Sequence, residues 1–236
     1  MNKSNLYKKK FSENGYVIIK NFLSTKEASE FENTLYKTYT SQLKTIVDKE
    51  NIHSIIQDYE RRGYYDKLYM AYKKFGISST FKKFSRKLVK LTSIIFNNKS
   101  KSINCGLVIG INGSKRTNYE WHQEKPYYPK ISTVHYQFPL LNFFTSKKNG
   151  TMSVLKGSNK LGFIREVTNK KLSKKSINSY VPKDIKKIKK NLPEKFINMH
   201  LKDIVLFDEN LIHKSNENRT KKVRFAGVVR LKLETS

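Results

Sequence analysis

The stretch DIVLFDENLIHKSNENRTKKVRFAGVVRLKL, residues 203–233, decides the fold. Its two apolar runs, 204–207 and 223–233, read as strands, and His213 lies on the polar, turn-rich chain between them. Upstream the same rhythm repeats. Short apolar or alternating runs at 103–111, 119–123, 133–138, 140–144 and 152–155 are separated by turn signals. Strands of this length and density point to an antiparallel sandwich or barrel of the jelly-roll kind.

The first hundred residues have a different character. One strand-like run, Tyr16-Val17-Ile18-Ile19, precedes helical patterning. Ser24 with Glu27 three residues on is a capping-box signature, opening a helix through about Leu43 whose apolar stripe is Ala28, Phe31, Leu35 and Tyr39. Between Phe81 and Phe96, the apolar Phe84, Leu88, Leu91 and Ile95 alternate with basic residues, as in a helix buttressing a sheet. No repeat and no Pro/Gly/Ser linker divides the chain. The expected organisation is therefore one domain over 1–236, with an N-terminal strand and helices in 1–100 and a jelly-roll core in 101–236. Residues 165–199, with ten Lys and one Arg against Glu166, Asp184 and Glu194, read as an inserted helix or lid.

Composition narrows the class. The 236 residues are 37% hydrophobic and 12% aromatic, too apolar for a disordered chain, and no apolar run approaches the roughly 20 residues of a membrane helix. The start MNKSNLYKKK has no apolar stretch behind its charges and does not read as a secretory leader. A single cysteine, Cys105, excludes an intrachain disulfide and suits a reducing cytoplasm. The formal charge of +29 comes from 40 Lys but only 8 Arg, and Asn and Ile are also abundant. AT-rich codons supply that set. Base-reading proteins lean on Arg forks, so specific nucleic-acid binding is not expected, although a basic surface attracts anions generally.

Of five histidines, two stand out by context. In Trp121-His122-Gln123-Glu124, His122 and Glu124 project to one face if the segment is a strand. Two imidazoles and one carboxylate make the facial triad of non-heme Fe(II) oxygenases, with positions left for cosubstrate and O2. Eleven residues beyond His213 stands Arg224, and six further Arg230. On an extended strand the two arginines share a face, and one of them could fork a carboxylate inside a barrel.

These residues resemble the phytanoyl-CoA dioxygenase-like (PhyH) family of Fe(II)/2-oxoglutarate-dependent oxygenases. The resemblance rests on four stretches in the family's order. They are 15–23 (GYVIIKNFL), 121–129 (WHQEKPYYP), 149–162 (NGTMSVLKGSNKLG), and 203–207 (DIVLF) through His213, Ser215, Asn218 and Arg224. It implies a double-stranded β-helix, a cupin-like jelly roll that is mainly β with flanking helices. It also implies that His122, Glu124 and His213 hold Fe(II), and that Arg224, helped by Ser215, binds the distal carboxylate of 2-oxoglutarate. Gln123 would line the site by the same analogy, although strand alternation sends its side chain to the opposite face. Two departures appear: Glu124 stands where the family usually has Asp, and Asn159 where it has His. A retained carboxylate favours hydroxylation, or related desaturation or cyclisation, over the halogenation of relatives that lack it.

The expected function is thus a dioxygenase hydroxylating a small-molecule metabolite, possibly anionic. The alternative is a nucleic-acid-binding or nucleic-acid-modifying protein that uses its lysines on the same scaffold; its binding would collapse with rising salt. Arg230 is expected to pair with an acidic surface residue, and His135 to be a satisfied core histidine.

Overall fold

The computed structural model describes residues 2–141, 144–168 and 180–234. Helix α1 (Lys3–Asn14) leads into strand β1 (Tyr16–Ile19). Four helices follow: α2 (Thr25–Leu43), α3 (Ile52–Arg61), α4 (Tyr65–Gly76) and α5 (Ser79–Phe96). The remainder is mostly strand: β2 (Ser100–Gly110), β3 (Ser132–Leu140), β4 (Met152–Leu155), β5 (Glu166–Thr168), β6 (Tyr180–Pro182), then helix α6 (Ile185–Asn191), β7 (Glu194–Phe196), β8 (Ile204–Asp208), β9 (His213–Ser215) and β10 (Arg224–Leu233).

Two antiparallel sheets face each other. The larger runs β1-β8-β3-β10-β2 and the smaller β7-β4-β9, extended by a bridge between His213 and His122. Non-sequential neighbours in both sheets are the signature of a jelly roll, which closes the sandwich and leaves few open edges.

Helix α2 begins where the sequence sets it. The Ser24 hydroxyl accepts from the Glu27 amide at 3.1 Å, and the Glu27 carboxylate accepts from the Ser24 amide at 2.7 Å. Phe31, Leu35 and Tyr39 are buried along its stripe, and α5 buries Phe81, Phe84, Leu88 and Ile95. Both faces press on the outside of the larger sheet. There Phe31 meets Phe81, Phe84 and Phe138 edge-on or tilted, at centroid distances of 5.1–5.2 Å. Edge-on aromatic pairs each contribute about 0.5–1.5 kcal/mol beyond their buried area. Gly227 lies opposite Phe138 in the register, and a Cβ there would overlap the Phe138 ring, so the strand needs glycine at that point.

Alternation on β10 then assigns its side chains. Phe225, Val229 and Leu231 join the helix-side core, which leaves Arg224, Val228 and Arg230 to the inner face. Met152, Val154, Val205 and Phe207 form a smaller core between the sheets.

Two expectations are corrected. Residues 119–123 do not form a strand: only His122 bridges to the sheet, and Glu124 turns with φ −84° and ψ −22° into a short 3-10 segment. The lysine-rich segment also ends earlier than 199. Its last part is β7, paired with β4, followed by buried Ile197 and Met199. Ile185, Ile188 and Leu192 of the segment pack with Val181 against Trp121, Leu155 and Ile212, on the back of the smaller sheet. Residues 169–179, the middle of the expected lid, lie outside the described residues.

Candidate metal centre

His122 and His213 face each other through paired backbone bonds, His122 N to His213 O at 2.9 Å and the reverse at 3.0 Å. Their rings stand 4.2 Å apart between centroids. Each Nδ1 lies on the carbonyl two residues back, His122 on Glu120 at 2.6 Å and His213 on Leu211 at 2.9 Å. A carbonyl only accepts, so both Nδ1 atoms carry the proton and both Nε2 atoms present a lone pair. Burial, reinforced by His213, pushes His122 down to about 3, so it stays neutral, the state a ligand requires.

Glu124 reaches the same point by a turn. Its amide and that of Lys125 both donate to the Glu209 carbonyl, at 2.9 and 3.0 Å. The Glu209 carboxylate is held in turn by the Thr133 amide at 3.0 Å and hydroxyl at 2.8 Å. Glu124 Oε1 lies 3.8 Å from His213 Nε2. Donor atoms of His122, Glu124 and His213 all fall within 4.8 Å of one another, and all three side chains are buried. Donors at right angles about one cation, on bonds of about 2.1 Å, stand about 3 Å apart, so the side chains draw together to close the triad.

The other carboxylate oxygen meets Arg230, whose Nε donates to Glu124 Oε2 at 3.3 Å. Burial alone would raise the Glu124 carboxyl, but the Arg230 guanidinium holds it well below the usual carboxylate range. Burial acts against the Arg230 charge as well, and Glu124 reverses it, raising the guanidinium above its ordinary value. Arg230 is thus part of the site, which corrects its expected surface role. The long Glu124 arm lets one oxygen face the imidazoles while the other takes the guanidinium.

His135 also faces this point and is fully buried, but it is only half satisfied. The Thr133 hydroxyl gives its one proton to Glu209, so it accepts from His135 Nε2 at 2.9 Å. His135 Nδ1 is left as a lone pair with no hydrogen-bond partner among the described residues, 3.8 Å from Glu124 Oε2.

Arg224 lies on the same face of β10 and is 2% exposed. Its Nε and Nη2 have no hydrogen-bond partner among the described residues. Burial lowers its pKa to about 10, a direction that Tyr119 partly offsets. A buried guanidinium with two free donors is costly unless an anion completes it. The loop before it is fixed by Asn218, whose amide donates to the carbonyls of Gly110 at 2.8 Å and Lys222 at 2.7 Å.

Ser215 and the triad line a cavity of about 80 Å³, together with Tyr72, Tyr119, Gln137, Phe207 and Arg230. Gln123 does not belong to it. Its amide donates to the carbonyls of Gly162 at 2.8 Å and Asn210 at 2.7 Å and accepts from Ile164 at 2.9 Å, bracing the loops behind the ligands. Ser158 has a related role, accepting from the Ile212 amide at 2.8 Å beside His213.

The donor set fits a divalent transition metal, with two neutral imidazoles and one ionised carboxylate on one side. Arg224 supplies an orphaned anion receptor on the same inner face.

Comparison with known proteins agrees with this geometry. The sequence matches the family described as phytanoyl-CoA dioxygenase (PhyH) over residues 11–226. Among curated proteins nothing matches. Similar solved structures include the epimerase SnoN in complex with Fe3+, alpha ketoglutarate and nogalamycin RO, at TM-score 0.67 and 10% identity, covering 98% of this chain and 83% of that one. EctD from S. alaskensis with 2-oxoglutarate and 5-hydroxyectoine matches at TM-score 0.66 and 14% identity, over 95% and 74% of the two chains. The carbocyclase SnoK from nogalamycin biosynthesis matches at 0.65 and 13%, over 98% and 84%. At such identities the structures establish the cupin-like jelly roll, mostly β with flanking helices. The match across residues 11–226 goes further: this chain belongs to the phytanoyl-CoA dioxygenase family.

Proposed function

We propose that this chain is an Fe(II)- and 2-oxoglutarate-dependent dioxygenase that hydroxylates a small molecule. The metal ligands are His122, Glu124 and His213, and Arg224 with Ser215 receives the distal carboxylate of 2-oxoglutarate. The observation that carries this reading is Arg224, buried on the triad's face of the sheet with Nε and Nη2 unpartnered among the described residues. Two neutral imidazoles and one carboxylate for a cation, with one unfilled anion fork on the same inner face, are what an iron bound with a dicarboxylate needs.

When bound, iron with 2-oxoglutarate would supply the means to activate O2 and two of the four electrons its reduction takes, the hydroxylated substrate giving the other two. The chain's own groups position the parts. The Glu120 and Leu211 carbonyls lock both imidazoles in the Nδ1–H tautomer, so neither ring has to reorganise to present Nε2. Arg230 keeps Glu124 ionised and restrains Oε2, leaving Oε1 for the metal. Arg224 orients the cosubstrate by a charge-assisted fork. Retention of the Glu124 carboxylate supports hydroxylation over halogenation. The structural neighbours act on or bind small molecules, by their own descriptions nogalamycin and 5-hydroxyectoine, which supports a small-molecule substrate. No helix among the described residues is long and apolar enough to cross a membrane, and we place the protein in the cytoplasm on its single cysteine. Nothing among the described residues favours the nucleic-acid alternative.

The test is an anaerobic titration with Fe(II) and then 2-oxoglutarate, watching for the weak visible metal-to-ligand charge-transfer band. It is expected in the wild type and absent in His213→Ala. Iron binding without the band would overturn the cosubstrate assignment, and no iron binding would overturn the function.

A further inference from the structure

Arg230 has more donors than Glu124 uses. Its Nε is spent on Glu124 Oε2, while among the described residues no hydrogen bond engages its two terminal nitrogens. The side chain retains 18% exposure, against 8% for Glu124, and it lines the cavity. The free end of this fork therefore faces the space a substrate enters.

A tyrosine shares the cavity with it. Tyr72, from α4, also lines the cavity. It reaches there across the edge strand at Gly106, where an added Cβ would lie 2.7 Å from the Tyr72 hydroxyl and 3.2 Å from Cζ. Only glycine leaves that passage open, because Gly106 sits on the inner face of β2 opposite Val228, another cavity residue. The Tyr72 ring thus enters the cavity that the Arg230 guanidinium also lines. A hydroxyl beside a guanidinium makes a receptor for an oxyanion.

The charge balance points the same way and rests on the function proposed above. With iron and 2-oxoglutarate bound, the positive charges of Arg224, Arg230 and the divalent cation exceed those of Glu124 and the dicarboxylate by one. An uncompensated charge in a buried site is costly, so a substrate bearing one negative charge is favoured. A carboxylate meets that count, whereas a phosphate monoester, at about −1.5 to −2, exceeds it.

We propose that the terminal nitrogens of Arg230, with the hydroxyl of Tyr72, bind a single carboxylate of the substrate and hold it beside the metal centre. The substrate class is then a small monocarboxylic acid, anchored by one arginine while the other holds the cosubstrate.

The test uses the full chain, kept anaerobic with Fe(II) and 2-oxoglutarate and titrated calorimetrically with benzoate, benzamide and phenyl phosphate. The charge-transfer band is read first. Its absence overturns the proposed function and this inference with it, whereas its presence isolates the substrate question. With the band present, benzoate should bind about tenfold or more tightly than benzamide, and the preference should vanish in Arg230→Gln. Because that change also releases Glu124, Tyr72→Phe is measured alongside. It leaves the Glu124 pair intact and should weaken benzoate about threefold with benzamide unchanged. Benzoate no tighter than benzamide, a preference that survives in Arg230→Gln, or phenyl phosphate bound more tightly than benzoate would each overturn the assignment.

Discussion

The two faces of the larger sheet are built from the same strands and behave as opposites. On the helix side, Phe138, Phe225, Val229 and Leu231 sit in an apolar core with Phe31 and Phe81. On the other, the same strands carry His135, Arg224 and Arg230, and His135 Nδ1 and Arg224 Nε and Nη2 have no hydrogen-bond partner among the described residues. One face is closed mainly by apolar packing, with the Tyr39 and Tyr136 hydroxyls as its polar exceptions; the other is left chemically incomplete. The stability gained from the first offsets the polar burial of the second, and side-chain alternation at period two keeps them apart.

The largest test of this division is Phe31→Ala. Removing a ring that packs against four others should cost about 3–5 kcal/mol, read from urea unfolding, while iron affinity in the folded protein stays unchanged. A parallel loss of iron binding would show that the faces are coupled.

The inner face should instead announce itself through pH. His122 and His135 are both pushed down to about 3 by burial, His122 further by His213, while Glu124 opposes the fall at His135. An unfolded histidine titrates near about 6.5, so the folded state binds fewer protons and stability drops as pH falls from about 6.5 towards 3. Glu124, held low, adds in the same direction: its contribution is present above the unfolded carboxylate value and lost as pH falls through the depressed one. The urea midpoint of the metal-free protein should decline across this window, and His135→Asn should flatten the decline. An unchanged slope in that variant would remove His135 from the buried polar set.

Smallest is the Ser24→Ala cap change, far from the site. It should cost about 1 kcal/mol with no effect on iron or 2-oxoglutarate affinity.

The same contrast explains what the sequence could reveal. Helix α2 was legible because its cap and stripe are local, and Met152–Leu155 and Tyr16–Ile19 fall where their apolar runs place them. The triad was legible through its neighbours in the chain. Arg230 was not, because its partner Glu124 is 106 residues away and only the register of β10 brings them together. Tyr72 was hidden likewise: a tyrosine on an amphipathic helix gives no sign that it crosses a distant glycine. Gln123 was read correctly by alternation, which sends it away from the site, and incorrectly by analogy. Glu124 kept its place although the expected strand did not form, since Glu209 shapes the turn from beyond residue 200.

The central claim is that the inner face holds two receptors, one for a cation and one for a dicarboxylate. Arg224→Ala tests it most directly, by measuring Fe(II) and 2-oxoglutarate affinities separately under anaerobic conditions. The account predicts iron binding close to wild type and 2-oxoglutarate affinity reduced by about a hundredfold or more, as for loss of a buried charge-assisted pair. Equal loss of both ligands, or 2-oxoglutarate bound as tightly as before, would contradict it.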